Sequence, residues 1–566
     1  DTTVDAGDLN ILNNYTTGVI NADSLTKLTG SIADLNVAFA ADAASSATIS
    51  GLGDQTVELT DTNVLAADLN TLNGYTSGDI DASTVAVIEG TVTALNTAYD
   101  TAGINGLGNE AVTITDTTAA VADLVTLDGN TSGVIDASAA HTLSGTVSNA
   151  NSVYASDGFT GLGAEAVTLT DTSLSDVADL NTLNGYTTGN IDASEITSLT
   201  GSISDLNTAY AAGSALGNGI SGLGNETVTI DDTASIDASA LNTLNGYTTG
   251  NIVATTATSF TGTISDLNTL YAAAASSGDG ISGLGSEAVT VTDSSVSASD
   301  LNTLNTKTDY NITVNATAIS GSLSDVSTLY GNKAADSNAD TNGFTGLGNE
   351  AITLTDTGSI AANTLLTVAQ ANSSGTVDAS NAGTITGTAE QIINAYADST
   401  ITEASNVALT VNTANSGTAT LTQARSLDAL TTGVVTATIA DTALSDLLDD
   451  STPLLDANGN NAFTITIGSG DASASAADLN ALDALTTVAI DAGNVTAITS
   501  SSLADINTLY ASSGFSGLGD QDITASDSGS IAASTITTIA TANSSGTLNV
   551  SGAATITGTA AEIIAA

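Results

Sequence analysis

Apolar and polar residues alternate in short runs along this chain, and the runs return in a fixed order. In Val112-Thr113-Ile114-Thr115 the period is two, so Val112 and Ile114 are predicted to face a core while Thr113 and Thr115 face away. Ile80-Asp81-Ala82-Ser83 predicts a second kind of strand, with Ile80 and Ala82 inward. Between such strands the period becomes helical, and Leu206 and Tyr210 share a face at i, i+4 spacing. Helix starts are marked by Ser31-x-x-Asp34, Ser202-x-x-Asp205, Thr263-x-x-Asp266, Ser322-x-x-Asp325, Thr388-x-x-Gln391 and Thr559-x-x-Glu562, which fit or approximate a capping box. Asn73-Gly74, Asn184-Gly185 and Asn245-Gly246 are predicted helix stops, because both residues tolerate left-handed backbone. Helices this short are marginal alone, so neighbouring segments must cover their apolar side.

These elements form a tandem repeat. Gly-Leu-Gly occurs at Gly51, Gly106, Gly161, Gly222, Gly283, Gly346 and Gly517, and the first five intervals run from 55 to 63 residues. Each unit has two related halves: Asp8 and Asp34, or Asp179 and Asp205, mark D-L-N segments 26 residues apart. That is the length of one solenoid coil holding a strand and a short helix. A longer period also exists, since the stretch from Ser359 matches that from Ser530 at an offset of 171. Strands alternating with helices at this spacing predict parallel pairing through right-handed crossovers. The expected fold is an α/β repeat solenoid with parallel β-sheet and two coils per unit, the alternative being a right-handed parallel β-helix.

Tandem repeats are expected over 1–399 and 471–566. Residues 400–470 lack Gly-Leu-Gly and hold Arg425, Pro453 and the run Asp446 to Asp450, reading as divergent repeats or an insertion. Asp1-Thr2 corresponds to the end of a T-D-T strand and Ala566 aligns with Ala395, so the expectation is a segment or subunit of a longer array.

Composition narrows the function. The chain has 61 acidic residues against four basic ones (Lys27, Lys307, Lys333, Arg425), for a net charge of −57. Without a basic surface to displace counterions, nucleic acid is excluded as an expected partner. No apolar run reaches the length of a membrane span, so no membrane insertion is expected. The apolar fraction of 41% rules out a disordered acidic tail, while 3% aromatics predict a thin core of Ala, Val, Ile and Leu. Divalent cations and salt are the natural companions of such a chain: near seawater ionic strength the screening length falls toward ~3–4 Å.

Candidate chemistry is sparse. Gly106-x-Gly108-x-x-Ala111 has dinucleotide-binding spacing, but it precedes a strand and opens no helix, so it reads as a turn between coils. Asp61, Asp116, Asp171, Asp232, Asp293 and Asp356 share one repeat position at a strand end. They read either as cap residues accepting backbone N–H groups or as a carboxylate row bridged by calcium. Asp336-x-Asn338-x-Asp340-x-Asn342-Gly343, with Glu350 beyond it, resembles part of a calcium loop, and Asp456-x-Asn458-x-Asn460 is a weaker relative. Thr168-x-Thr170-x-Thr172 gives an outward threonine row of the kind ice-binding solenoids carry, spoiled by interspersed acids. Tyr75, Tyr99, Tyr154, Tyr186, Tyr210, Tyr271 and Tyr330 recur at helix ends, with Phe39 standing in once, and read as packing positions. His141 is alone, and no Ser or acid pair is singled out from its copies, so no enzyme is expected.

Units such as GLGNEAVTITDT, ADLNTLNGYTSG and SLTGSISDLNTAY resemble the tandem repeats of giant secreted or cell-surface proteins of marine cyanobacteria, some of them motility-associated. The resemblance covers most of the chain outside 400–470. With the repeat and the charge, the expected function is an extracellular structural protein that forms an acidic rod, filament or cell-surface layer, with calcium as its candidate stabiliser, stacked end to end on further repeats or copies of itself. The alternative is an adhesin stalk or an ion- or glycan-binding surface protein using the 400–470 region.

Overall fold

The computed structural model describes residues 1–213, 219–274, 280–333, 343–412, 417–449 and 459–566. They fall into two compact units, Asp1–Glu287 and Ala288–Ala566. Both are α/β repeat solenoids: short parallel strands alternate with helices, and every described strand pairing is parallel.

The first unit shows how one repeat is made. In order it runs β1 (Thr3–Asp5), α1 (Ala6–Tyr15), β2 (Ile20–Asn21), β3 (Lys27–Gly30), α2 (Ile32–Ala43), β4 (Ile49–Ser50), β5 (Thr56–Leu59), β6 (Asn63–Leu65), α3 (Ala66–Tyr75), β7 (Ile80–Asp81), β8 (Val87–Gly90), α4 (Val92–Asp100), β9 (Ile104–Asn105), β10 (Ala111–Ile114), β11 (Thr118–Ala120) and α5 (Val121–Asn130). Period-two alternation decides which side of each strand is buried. Val112 and Ile114 of β10 are almost fully enclosed, as are Ile80 and the adjacent Ala82. In the ladders Leu28 pairs with Val57, Val57 with Ile80, and Ile80 with Ile104, so one apolar column runs through successive coils. The helices bury Ala66, Leu69 and Leu72 of α3, or Val92, Leu95 and Ala98 of α4, and each packs on the helices before and after it.

The sheets are sheared in a way the sequence pattern does not announce. Alternate coils carry two strand segments and three. In the three-segment coil, β9 and β10 pair back onto β7 and β8. On the other side, β10 pairs with Ile135–Asp136 and β11 with Thr142–Gly145 of the next coil. Each sheet therefore slides by one segment per repeat and usually ends after five strands, as in the order β1-β3-β5-β7-β9. The strand after Gly-Leu-Gly is the shared one.

Helix starts follow the capping signals. Ser31, Thr263 and Ser322 each accept the N–H three residues on, and their hydroxyls donate to the Asp there at 2.6–2.7 Å. Thr388 and Thr559 form complete capping boxes with Gln391 and Glu562. The predicted stops are corrected. Asn73-Gly74, Asn184-Gly185 and Asn245-Gly246 lie inside helices that end at Tyr75, Tyr186 and Tyr247. The chain leaves α3 through an extended Thr76, whose hydroxyl donates to the Gln55 carbonyl of the neighbouring coil at 3.0 Å. No left-handed residue is needed when another coil ends the helix.

Residues 400–470 continue the second unit's stack where they are described. Leu409 pairs with Ile385 and with Val435, and Ala437 pairs with Phe463. Among the described residues no helix is long and apolar enough to cross a membrane.

Candidate functional site

The recurring polar residues converge on the joints between coils. At each joint both glycines of Gly-Leu-Gly have positive φ, +93° at Gly106 and +129° at Gly108. A Cβ on Gly106 would lie 2.8 Å from the Ser83 nitrogen, so this turn needs glycine for its conformation and for its close approach. The strand Ala111–Ile114 follows it, in keeping with a turn.

Two residues past the second glycine comes a residue the sequence reading passed over. Glu110, Glu165, Glu226, Glu287 and Glu350, with Gln55 and Gln521 as substitutes, are all buried to at least 97%. The side chain folds back onto the turn: Gly108 N–H donates to Glu110 at 2.8 Å and Gly224 N–H to Glu226 at 2.8 Å. From above, the helix-end tyrosine donates its hydroxyl: Tyr99 to Glu110 at 2.8 Å, Tyr154 to Glu165 at 2.9 Å, Tyr210 to Glu226 at 2.7 Å, and Tyr330 to Glu350. Burial, and then the carboxylate beside it, pushes the Tyr99, Tyr154 and Tyr210 phenols well above the ordinary tyrosine range. The tyrosines thus pack, as expected, and also donate. Tyr154 and Tyr210 stack on Tyr186 and Tyr247 of the following coil at 5.8 and 6.2 Å.

In the first joint Phe39 stands where tyrosine would, and the acid is replaced by Gln55. Its amide supplies its own donors, to the Gly51 carbonyl and the Asp54 carboxylate at 2.8 Å, while Oε1 accepts Gly53 N–H at 2.6 Å. The amide thus satisfies the turn without a tyrosine hydroxyl, although in the other glutamine joint Tyr510 is kept and donates to Gln521 at 3.0 Å.

The candidate aspartates cap helices in the coil before their own. Asp61 Oδ2 accepts the N–H of Ile32, the first residue of α2, at 2.6 Å, and Asp116 accepts that of Val92 at 2.7 Å. Asp171, Asp232 and Asp356 do the same for Val147, Ile203 and Leu323 at 2.7–2.8 Å. Asp293 occupies the equivalent position after the strand Ala288–Val291. Asp527, at the same position after Gly517, caps Leu503, and Asp441 and Asp471, which follow no Gly-Leu-Gly, cap Leu421 and Leu444 in the same manner. A carboxylate at a helix N-terminus also meets the positive end of the helix dipole. Within each unit, successive motif aspartates (Asp61, Asp116, Asp171 and Asp232; Asp293 and Asp356) recur two coils apart, about 10 Å at the usual strand spacing. One calcium ion, with bonds of about 2.3–2.6 Å, does not reach two of them.

Of the loop candidates, Asp336, Asn338, Asp340 and Asn342 lie outside the described residues, as do Asp456 and Asn458. Glu350 is fully buried and held by Gly348 and Tyr330, so it serves a joint. Among the described residues no group of three or more His, Cys, Asp or Glu is arranged to hold a metal ion.

A third device, the asparagine of D-L-N, was also missed. Asn10 Nδ2 donates to the Asp34 carbonyl at 2.8 Å, Asn36 to Asp68 at 3.0 Å, Asn70 to Ala94 at 2.8 Å and Asn96 to Asp123 at 2.9 Å. Rungs continue from Asn151, Asn181, Asn207 and Asn242 in the first unit. The available signal was recurrence of Asn inside helices, where its intrinsic propensity is poor. In α5 the rung position holds Val125, partly exposed and donating nothing. Val125→Asn is expected to complete the rung to the Asn149 carbonyl and stabilise these coils by about 0.5–1 kcal/mol, read from hydrogen exchange in residues 121–155. A loss of protection would show that the rung does not form there.

No protein-family model matches this sequence, and no curated protein matches it.

Proposed function

We propose that this chain is a structural repeat protein of the cell exterior: an acidic solenoid serving as part of a rod, filament or surface layer. It packs end to end with further coils or further copies of itself. The observation that carries this reading is where the recurring polar chemistry goes. The repeated Glu, Tyr, Asp and Asn side chains each bond a neighbouring turn or coil, so the repeat is specialised for propagating itself. The net charge of −57 and the resemblance to giant surface proteins support an extracellular place. Cations act mainly as screening counterions, because the capping aspartates each hold a backbone N–H and stand too far apart to share an ion.

A second reading, an adhesin or ion- and glycan-capturing stalk, draws on a groove of about 420 Å³ lined by Leu444, Leu448, Asp471, Asp478, Thr499 and Ser500.

One experiment addresses the leading reading. Sedimentation and thermal melting are followed from 10 mM to 500 mM NaCl, with and without a calcium chelator. Screening lengths fall from about 30 Å to a few Å across that range, so the melting midpoint and end-to-end association are both expected to rise with salt. Chelation at fixed ionic strength is expected to leave the midpoint unchanged. A large fall on chelation would assign a specific calcium role, and a strictly monomeric chain in every condition would sink the filament reading.

A further inference from the structure

One coil of the second unit breaks the joint. Where other repeats read Gly-Leu-Gly-Asn-Glu, residues 403–407 read Glu-Ala-Ser-Asn-Val, between the strands Ile401–Thr402 and Ala408–Val411. Val407, 2% exposed, fills the slot of the buried glutamate. Tyr396, on the helix Ala389–Ala397, has thereby lost its acceptor, and its hydroxyl is buried without a partner. Glu403 stands at the place of the first glycine, near enough for its charge to act on the Tyr396 phenol, and its Oε1 is likewise buried without a partner. The ladder is interrupted here too: Ile393 and Arg425 occupy the rung positions of the two adjoining helices.

We propose that Glu403 is a pH-responsive release point in this coil, closed when Glu403 holds a proton and loosened when it gives that proton to solvent. The reason is desolvation. A carboxylate oxygen sealed from water with no donor is costly when charged, whereas the neutral acid carries little penalty. Everywhere else the turn glycine and tyrosine supply donors to the buried acid; here the glycine is gone.

The surrounding groups do not neutralise the charge. Helix Ala389–Ala397 brings Tyr396 and, at its start, Glu390, and the following turn brings Asp398, held by Thr400. The paired strand Thr376–Asp378 brings Asp378, held by Ser380. The next helix, Leu421–Leu430, carries Arg425 and Asp428, and Asp428 receives the Asn461 amide at 2.7 Å. Burial pushes Glu403 up to about 7, against a hydrogen bond from its own backbone N–H and with the Asp398 charge adding to the rise. The folded coil thus holds a proton that the unfolded chain releases near 4.5. The stability this provides is complete below pH ~4.5 and is lost as pH rises through ~7.

Hydrogen exchange of amides in residues 389–411 of the whole chain, corrected for the intrinsic pH dependence of exchange, tests this. Between pH 4 and 8 the local opening constant is expected to rise on the order of 10²-fold. Glu403→Gln, neutral at every pH, is expected to flatten that rise. Tyr396→Phe removes only an unpartnered hydroxyl and keeps the acid, so it should fold and retain the rise. A rise that persists in Glu403→Gln, or a flat profile in both the unsubstituted chain and Tyr396→Phe, overturns the proposal.

Discussion

Gly222→Ala is expected to destabilise its joint by roughly 3–5 kcal/mol. Two costs combine. Gly222 sits at φ +91°, where an L residue is strained, and its added Cβ would lie 2.6 Å from the Ser194 nitrogen and 2.7 Å from the Ser194 Cα. Both contacts are backbone, held by the ladder from Ile191–Asp192 to Ile220–Ser221, so neither withdraws cheaply. Gly74→Ala supplies the contrast. That glycine is helical, its added Cβ meets nothing within 4 Å, and about 0.5–1 kcal/mol should be gained from helix propensity. Local hydrogen exchange on either side of each position reads both effects, since a repeat array opens coil by coil. Equal effects at the two glycines would mean that the joint tolerates side chains and that its geometry has been misread.

Tyr210→Phe is expected to cost about 1.5–3 kcal/mol, because it leaves the buried Glu226 carboxylate without its 2.7 Å hydroxyl donor. Adding Glu226→Gln should return most of that loss, since it recreates the Phe39–Gln55 pair found in the first joint. There the amide donates to the turn carbonyl at Gly51 and accepts from Gly53. The double-mutant cycle over residues 203–230 is thus expected to show strong favourable coupling between the two changes. Additive losses would indicate that Phe39 and Gln55 coincide without compensating one another.

Both expectations depend on contacts that had to be located in space. GLGNEAVTITDT illustrates the division. Its two glycines, the inward Val112 and Ile114, and the strand that follows the turn are legible from the sequence, because conformational preference and period-two alternation act within a few neighbouring residues. So are the helix starts at Ser31 and Thr388, where cap and partner lie three residues apart. Glu110 was not legible: an acid following a turn ordinarily points to water, and its tyrosine lies 11 residues back on a separate element. Asp116 was legible as a cap or a ligand, but the helix it caps begins 24 residues earlier in another coil. Asn73-Gly74 misled for the same reason, since a neighbouring coil, through Thr76 and Gln55, ends the helix that local preference would have stopped sooner.

What the sequence alone determined is therefore the repeat, its two coils, the buried side of each strand and the place of each turn, all properties of short stretches repeated many times. The tertiary structure decided the one-segment shear of the sheets, the burial of the glutamates, the targets of the aspartates and the asparagine ladder. Each depends on which residues stand opposite one another once coils of unequal length are stacked. Loop lengths between coils vary and carry no register signal of their own; the register is fixed only when apolar columns, close-approach glycines and helix faces are satisfied together.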